Sequence, residues 1–90
     1  MSQALTRTPT RYERDLGGGA MAFARVREEG GVVTVYHTEV PRNLRGQGHG
    51  ARFIAAVLDD IRARGKKVRP RCPFAAAFIR NNPVYADLVA

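Results

Sequence analysis

Residues 32–40 read Val-Val-Thr-Val-Tyr-His-Thr-Glu-Val, and residues 41–50 continue Pro-Arg-Asn-Leu-Arg-Gly-Gln-Gly-His-Gly. The first run is the strongest strand candidate in the chain, with β-branched residues at Val32, Val33, Thr34, Val35, Thr38 and Val40. Simple alternation sets Val33, Val35, His37 and Glu39 on one face and Val32, Thr34, Tyr36, Thr38 and Val40 on the other. Pro41 has no N–H for a ladder bond and ends the strand. After the basic glycine-rich loop, Phe53, Ile54, Val57, Leu58 and Ile61 recur at helical spacing through residues 51–64, with Gly65 as the stop. A strand feeding a helix through glycines decides the class: α/β.

Working outward, residues 11–16 and 20–27 are strands closed by Gly17-Gly18-Gly19 and by Glu28-Glu29-Gly30-Gly31. With residues 32–40 they make an antiparallel three-stranded meander. Residues 66–72 form a fourth strand, parallel to residues 32–40 because a helix crosses over between them. Pro73 suits a first helical position, which sets Cys72 at the N-cap of a helix running to about Arg80. Asn81-Asn82-Pro83 ends that helix, and residues 85–89 make a last short turn. The residues expected in the core are Phe53, Ile54, Val57, Leu58, Ile61, Phe74 and Phe78. Residues 1–10 are polar and aperiodic and read as a mobile tail, leaving 11–90 as a single domain.

Ninety residues allow one domain with a small core, and 44% hydrophobic residues suffice to build it. No apolar run approaches the roughly twenty residues that span a bilayer, and the first ten residues have no signal-like apolar stretch. Lys and Arg number 15 against 8 Asp and Glu, and thirteen of the basic residues are Arg. That balance points to an anionic partner. The arginines are scattered over every element and no aromatic-lined strand forms a stacking platform, which argues against nucleic acid. A single cysteine cannot close an internal disulfide, so a cytoplasmic, reducing setting is the default. No His, Cys or Asp cluster has metal-ligand spacing, and no metal is expected.

The glycine loop carries the chemistry. A helix start leaves N–H groups without partners and adds partial positive charge. Arg45-Gly46-Gln47-Gly48-His49-Gly50 lets such donors approach an anion closely, with Arg42, Arg45 and Arg52 around them. The loop lacks the Lys-Ser/Thr ending of a nucleoside-triphosphate loop.

Arg45, Gly48 and Gly50 match the Arg/Gln-x-x-Gly-x-Gly/Ala motif, and the wider pattern adds His37-Thr38-Glu39-Val40-Pro41, Cys72-Pro73-Phe74, Asn82-Pro83 and Tyr85-Ala86-Asp87-Leu88. Together these resemble the small stand-alone N-acetyltransferases of the GNAT superfamily, over nearly the whole span from Tyr12 to Val89. The resemblance implies a minimal GNAT-like mixed sheet with a V-shaped opening between two parallel strands. It also implies acetyl-CoA as co-substrate, held by Val40, Arg45, Gly46, Gln47, Gly48, His49 and Gly50, with Asn82 and Tyr85 as further contacts. Larger family members insert helices between their first two strands to build the acceptor pocket. Here only Gly17-Gly18-Gly19 stands in that place, so the amine acceptor is not identified.

Acetyl transfer needs a polarised thioester, a neutral amine and a way to receive the departing thiolate. Backbone N–H groups freed near Glu39 and Val40 suit an oxyanion. His37 or Glu39 suits the amine's proton. Cys72, at a helix N-terminus beside Arg71, suits a covalent or proton-donating part. The reading is an acetyl-CoA-dependent N-acetyltransferase; the alternative is a CoA-binding module with little turnover.

Overall fold

The computed structural model describes residues 4–90. Strands β1 (Leu5–Thr8), β2 (Arg11–Gly17), β3 (Ala20–Glu29) and β4 (Val32–Glu39) form an antiparallel meander. Helix α1 (His49–Ala63) crosses over to β5 (Lys67–Pro70), which pairs parallel to β4. Helix α2 (Pro73–Asn81) and a 3-10 turn (Pro83–Leu88) complete the chain. The five strands lie side by side in sequence order. The mixed sheet with a crossover helix is the expected fold class.

Two expectations about the strands need correction. The meander has four strands rather than three, because part of the expected tail is β1. Leu5 packs against the core and Arg7 donates to Asp60 at 2.7 Å, so this short edge strand is fastened to the helical layer. Residues 1–3 of that tail lie outside the described residues.

The second correction concerns the faces of β4. Arg25 pairs with His37 but Val26 pairs with Val35, so Tyr36 is an extra residue, a β-bulge. A one-residue slip exchanges faces. Thr38 and Val40 therefore continue the face of Val33 and Val35, while His37 and Glu39 join that of Val32 and Thr34.

Both helices cover one face of the sheet. Tyr12, Val33, Val35, Phe53, Val57 and Ile61 are among the side chains sealed between the layers. Burying each of the aliphatic ones contributes about 1.5–3 kcal/mol. Phe74, expected in the core, is instead 45% exposed. Helix α1 ends in a Schellman arrangement: Lys66 N–H donates to Ile61 C=O at 3.1 Å and Gly65 N–H to Arg62 C=O at 3.0 Å. Gly65 has φ +69°, which a residue with a Cβ adopts at a cost.

A polar tie closes the layers at one end. The Tyr12 hydroxyl donates to Asp60 at 2.6 Å and accepts from Arg64 at 2.9 Å, and Arg64 also reaches Glu28 at 2.9 Å. Burial, then the bond to Asp60, pushes the Tyr12 hydroxyl up to about 12. Burial alone would raise Asp60, but the Tyr12 hydroxyl and the Arg7 guanidinium outweigh it and hold the carboxyl below its ordinary range. The raised tyrosine stabilises the fold in full below its unfolded value near 10, and that contribution is lost as pH climbs towards 12. Tyr12→Phe should destabilise the protein by about 1–3 kcal/mol at neutral pH. It should also flatten the alkaline limb of stability between pH 10 and 12, measured by urea unfolding across that range.

Candidate functional site

The pairing of β4 with β5 runs from Val32 opposite Lys67 to Val35 opposite Pro70 and stops there. The Val35 carbonyl accepts from both Arg71 N–H at 3.0 Å and Cys72 N–H at 2.9 Å, and the chain then turns into α2. From Tyr36 onward β4 has β3 on one side and no strand on the other. The two strands part as a V.

A cavity of about 430 Å³ fills the helical side of that opening. Thr38 and Val40 of β4, Arg45, Gly46, Gly48, Gly50 and Ala51 of the loop and helix start, and Phe74 of α2 line it. Gly46 and Gly48 hold φ +83° and +81°, so the loop winds through left-handed backbone and delivers the chain into α1. At Gly50 the constraint is space: a Cβ there would sit 2.9 Å from the Phe74 ring. The first bond of α1 is Arg52 N–H to Gly48 C=O at 3.1 Å, and no side chain caps the helix. The N–H groups of His49, Gly50 and Ala51 consequently have no protein acceptor among the described residues. Arg45 donates from Nε to the Val40 carbonyl at 3.0 Å, which pins the loop to the end of the strand.

The structure thus brings Val40, Arg45, Gly46, Gly48 and Gly50 together around one cavity. Gln47 and His49 sit on the same loop and are tied to Arg52: its guanidinium reaches the Gln47 carbonyl and His49 Nδ1, each at 3.3 Å. Cys72 stands at the N-cap of α2, as expected, but is 5% exposed, with its thiol donating to the Thr38 hydroxyl at 3.6 Å. His37 and Glu39 lie on the opposite face of the sheet, joined to each other at 3.1 Å and half exposed. Asn82 and Tyr85 are not brought to the loop. Asn82 donates to Phe78 C=O at 2.8 Å as a helix stop, and Tyr85 donates to Asp59 at 2.9 Å. Asp59 is ten residues along α1 from His49, roughly 15 Å at 1.5 Å per residue.

Sequence reasoning missed Thr38, Ala51 and Phe74 as lining residues. A signal for Thr38 existed: the apolar positions of β4 change phase from Val33 and Val35 to Val40, as a bulge requires.

The profile of the family described as GCN5-related N-acetyltransferase matches residues 11–88. The chain belongs to that family. Among curated proteins no significant match is found. The solution structure of a GCN5-like protein from Staphylococcus aureus is similar, with 25% identity and a TM-score of 0.74. The alignment covers 100% of this chain and 91% of the other. This GCN5-related chain keeps the strand, loop and helix of the fold while carrying only a glycine turn between β2 and β3. No helix among the described residues is long and apolar enough to cross a membrane.

The burial of Cys72 has a measurable consequence. Its thiol should alkylate at least about tenfold more slowly in the native protein than in the urea-unfolded chain, because burial shields the sulfur from the reagent. Equal rates under iodoacetamide would place the thiol in the open.

Proposed function

We propose that the protein is an acetyl-CoA-dependent N-acetyltransferase whose reaction runs through the opening between β4 and β5. The observation that carries this reading is the cavity lined by Gly50 and Ala51, whose helix-start N–H groups have no acceptor among the described residues, and by Thr38 of the parted strand. The N–H groups of His49, Gly50 and Ala51 suit the pyrophosphate of CoA, since helix starts attract anions. Gly48 and Gly50 leave room for it. Val40 and Phe74 give the pantetheine arm apolar walls, and the thioester then reaches the parting of the strands beside Thr38.

The acceptor amine enters from the open face, where His37 and Glu39 stand one residue either side of Thr38. Its nitrogen bonds to the acetyl carbon, the carbon–sulfur bond breaks, and CoA departs as a thiolate. The amine's proton goes to His37, which Glu39 orients at 3.1 Å. The Cys72 thiol donates to Thr38, which leaves the Thr38 O–H free to hydrogen-bond the leaving sulfur, and the CoA thiolate takes its proton from solvent. Cys72 thus orients Thr38 and keeps its own proton. Backbone N–H groups of β4 beyond Val35, with no β5 neighbour, suit the carbonyl oxygen as charge develops on it.

Two measurements test the reading. Gly50→Val keeps ordinary helical backbone but fills the cavity against Phe74, and should weaken acetyl-CoA binding at least tenfold, about 1.4 kcal/mol, by isothermal titration. A folded variant that binds normally would remove the loop from the site. His37→Gln and Glu39→Gln should each lower turnover on a responsive amine by roughly 10²–10⁴-fold with acetyl-CoA affinity nearly unchanged. Parallel losses of affinity and turnover would instead assign the pair to the fold.

A further inference from the structure

The open face of the sheet carries cations that the acetyl-CoA reading does not use. Pairing sets Arg27, Thr34 and Arg69 in one row across β3, β4 and β5, and Arg25 beside His37 in the next. Arg71 follows Arg69 by two residues, just past the end of β5. All four arginines are exposed, and among the described residues none forms an ion pair. The buried-side carboxylates are engaged: Asp60 takes Arg7 and Arg64, Glu28 takes Arg64 and Lys66, and Asp87 takes Arg62. Arg14, Arg42, Arg45, Arg52, Lys67 and Arg80 also lack an ion pair among the described residues, but Arg14, Arg45, Arg52 and Lys67 donate to backbone carbonyls. The carboxylates of the open face stand at its margins. Glu13 is held by Arg11, Glu39 by His37 and Asp15 by the Gly17 N–H, and Glu29 ends β3.

Like charges on neighbouring strands repel, so an unmatched cluster of guanidiniums on one face is suited to an anionic occupant. The spacing says which kind. Two strand separations put Arg27 and Arg69 roughly 9.5 Å apart, and two residues along β3 put Arg25 and Arg27 roughly 7 Å apart at their Cα atoms. One phosphate cannot engage so wide a set. An extended peptide, whose alternate side chains repeat at about 7 Å, presents carboxylates at the spacing of the strand residues. Tyr36, 47% exposed at the bulge, and Phe23 beside His37 add apolar contact on the same side. A shallow cavity there is lined by Thr10, Arg25, Val26, Arg27, Tyr36 and His37, which joins the cations to the proposed proton acceptor. A nucleic acid also spaces its anions regularly, but its base amino groups are conjugated with the ring and poorly nucleophilic. A lysine side chain or a free N-terminus is a competent acceptor.

We infer that the acceptor is an amine on an acidic peptide segment, laid across Arg25, Arg27, Arg69 and Arg71 with its amino group beside His37. This rests on the acetyltransferase reading above. The test is anisotropy of short labelled peptides bearing one lysine among Asp and Glu, against the same peptides with Ser in place of the acids and against a DNA duplex. The acidic peptide should bind at least about tenfold tighter than the neutral one. The double substitution Arg27→Gln with Arg69→Gln should erase that preference while leaving acetyl-CoA affinity, read by titration calorimetry, unchanged. Equal binding of acidic and neutral peptides, an undiminished preference in the double variant, or displacement of the acidic peptide by a tighter-binding duplex would each overturn the inference. Failure of acetyl-CoA to bind, with the peptide preference intact, would overturn the transferase reading and leave the acidic-peptide surface standing.

Discussion

The carbonyl of Val35 accepts two successive N–H groups, from Arg71 and Cys72, and the site depends on that arrangement. A parallel ladder offers evenly spaced bonds and would carry β5 further along β4. Here Arg71 N–H makes the last regular bond to β4, Cys72 N–H takes the same Val35 carbonyl, and that double acceptance turns the chain out of the sheet; the missing N–H of Pro70 falls on the side away from β4. Pro73 then begins α2 with its missing N–H where a helix needs none. The opening between the strands is therefore set by one doubly accepting carbonyl and by the helix that Pro73 begins behind it. Its geometry belongs to the backbone, so it tolerates varied side chains around it.

The bulge at Tyr36 decides what faces each side of that opening. Without it, His37 and Glu39 would continue the row of Val33 and Val35 into the cavity, and Thr38 and Val40 would face outward. With it, the cavity receives a small hydroxyl and a β-branched wall, and the ionisable pair is exposed on the far side. An apolar channel for an acyl carrier and a wet surface for an amine make opposite demands on solvation. One inserted residue satisfies both on a single strand.

Much of this was legible in the sequence, and the limits are physical. The phase of Phe53, Ile54, Val57, Leu58 and Ile61 fixed α1, and all five are buried. Glycines at 46, 48 and 50 marked the loop because their roles, left-handed backbone and close approach, are local and belong to glycine alone. The strand at residues 5–8 was not visible because its support is remote: Leu5 rests on the core and Arg7 on Asp60, 53 positions away. The faces of β4 beyond Tyr36 were misassigned because alternation presumes an unbroken ladder, and a bulge depends on the partner strand. Asn82 and Tyr85 were ambiguous for a different reason: a helix stop and a ligand contact call for the same residue types.

The absence of a third layer has a consequence for charge. Only Gly17-Gly18-Gly19 joins β2 to β3, so among the described residues nothing covers the sheet face opposite the helices. On the helical side, Asp60, Glu28 and Asp87 gather Arg7, Arg64, Lys66 and Arg62, and these contacts fasten β1, α1 and the last turn to a core too small to hold them by apolar burial alone. Eight acids cannot serve both faces of a chain with 15 basic residues. The shortage is shared: among the described residues Arg42, Arg45 and Arg52 at the loop have no ion pair, and on the open face Arg25, Arg27, Arg69 and Arg71 stay in water, where their repulsion is screened. The distribution that holds a thin two-layer fold together also leaves its exposed sheet positively charged on the side where the strands part.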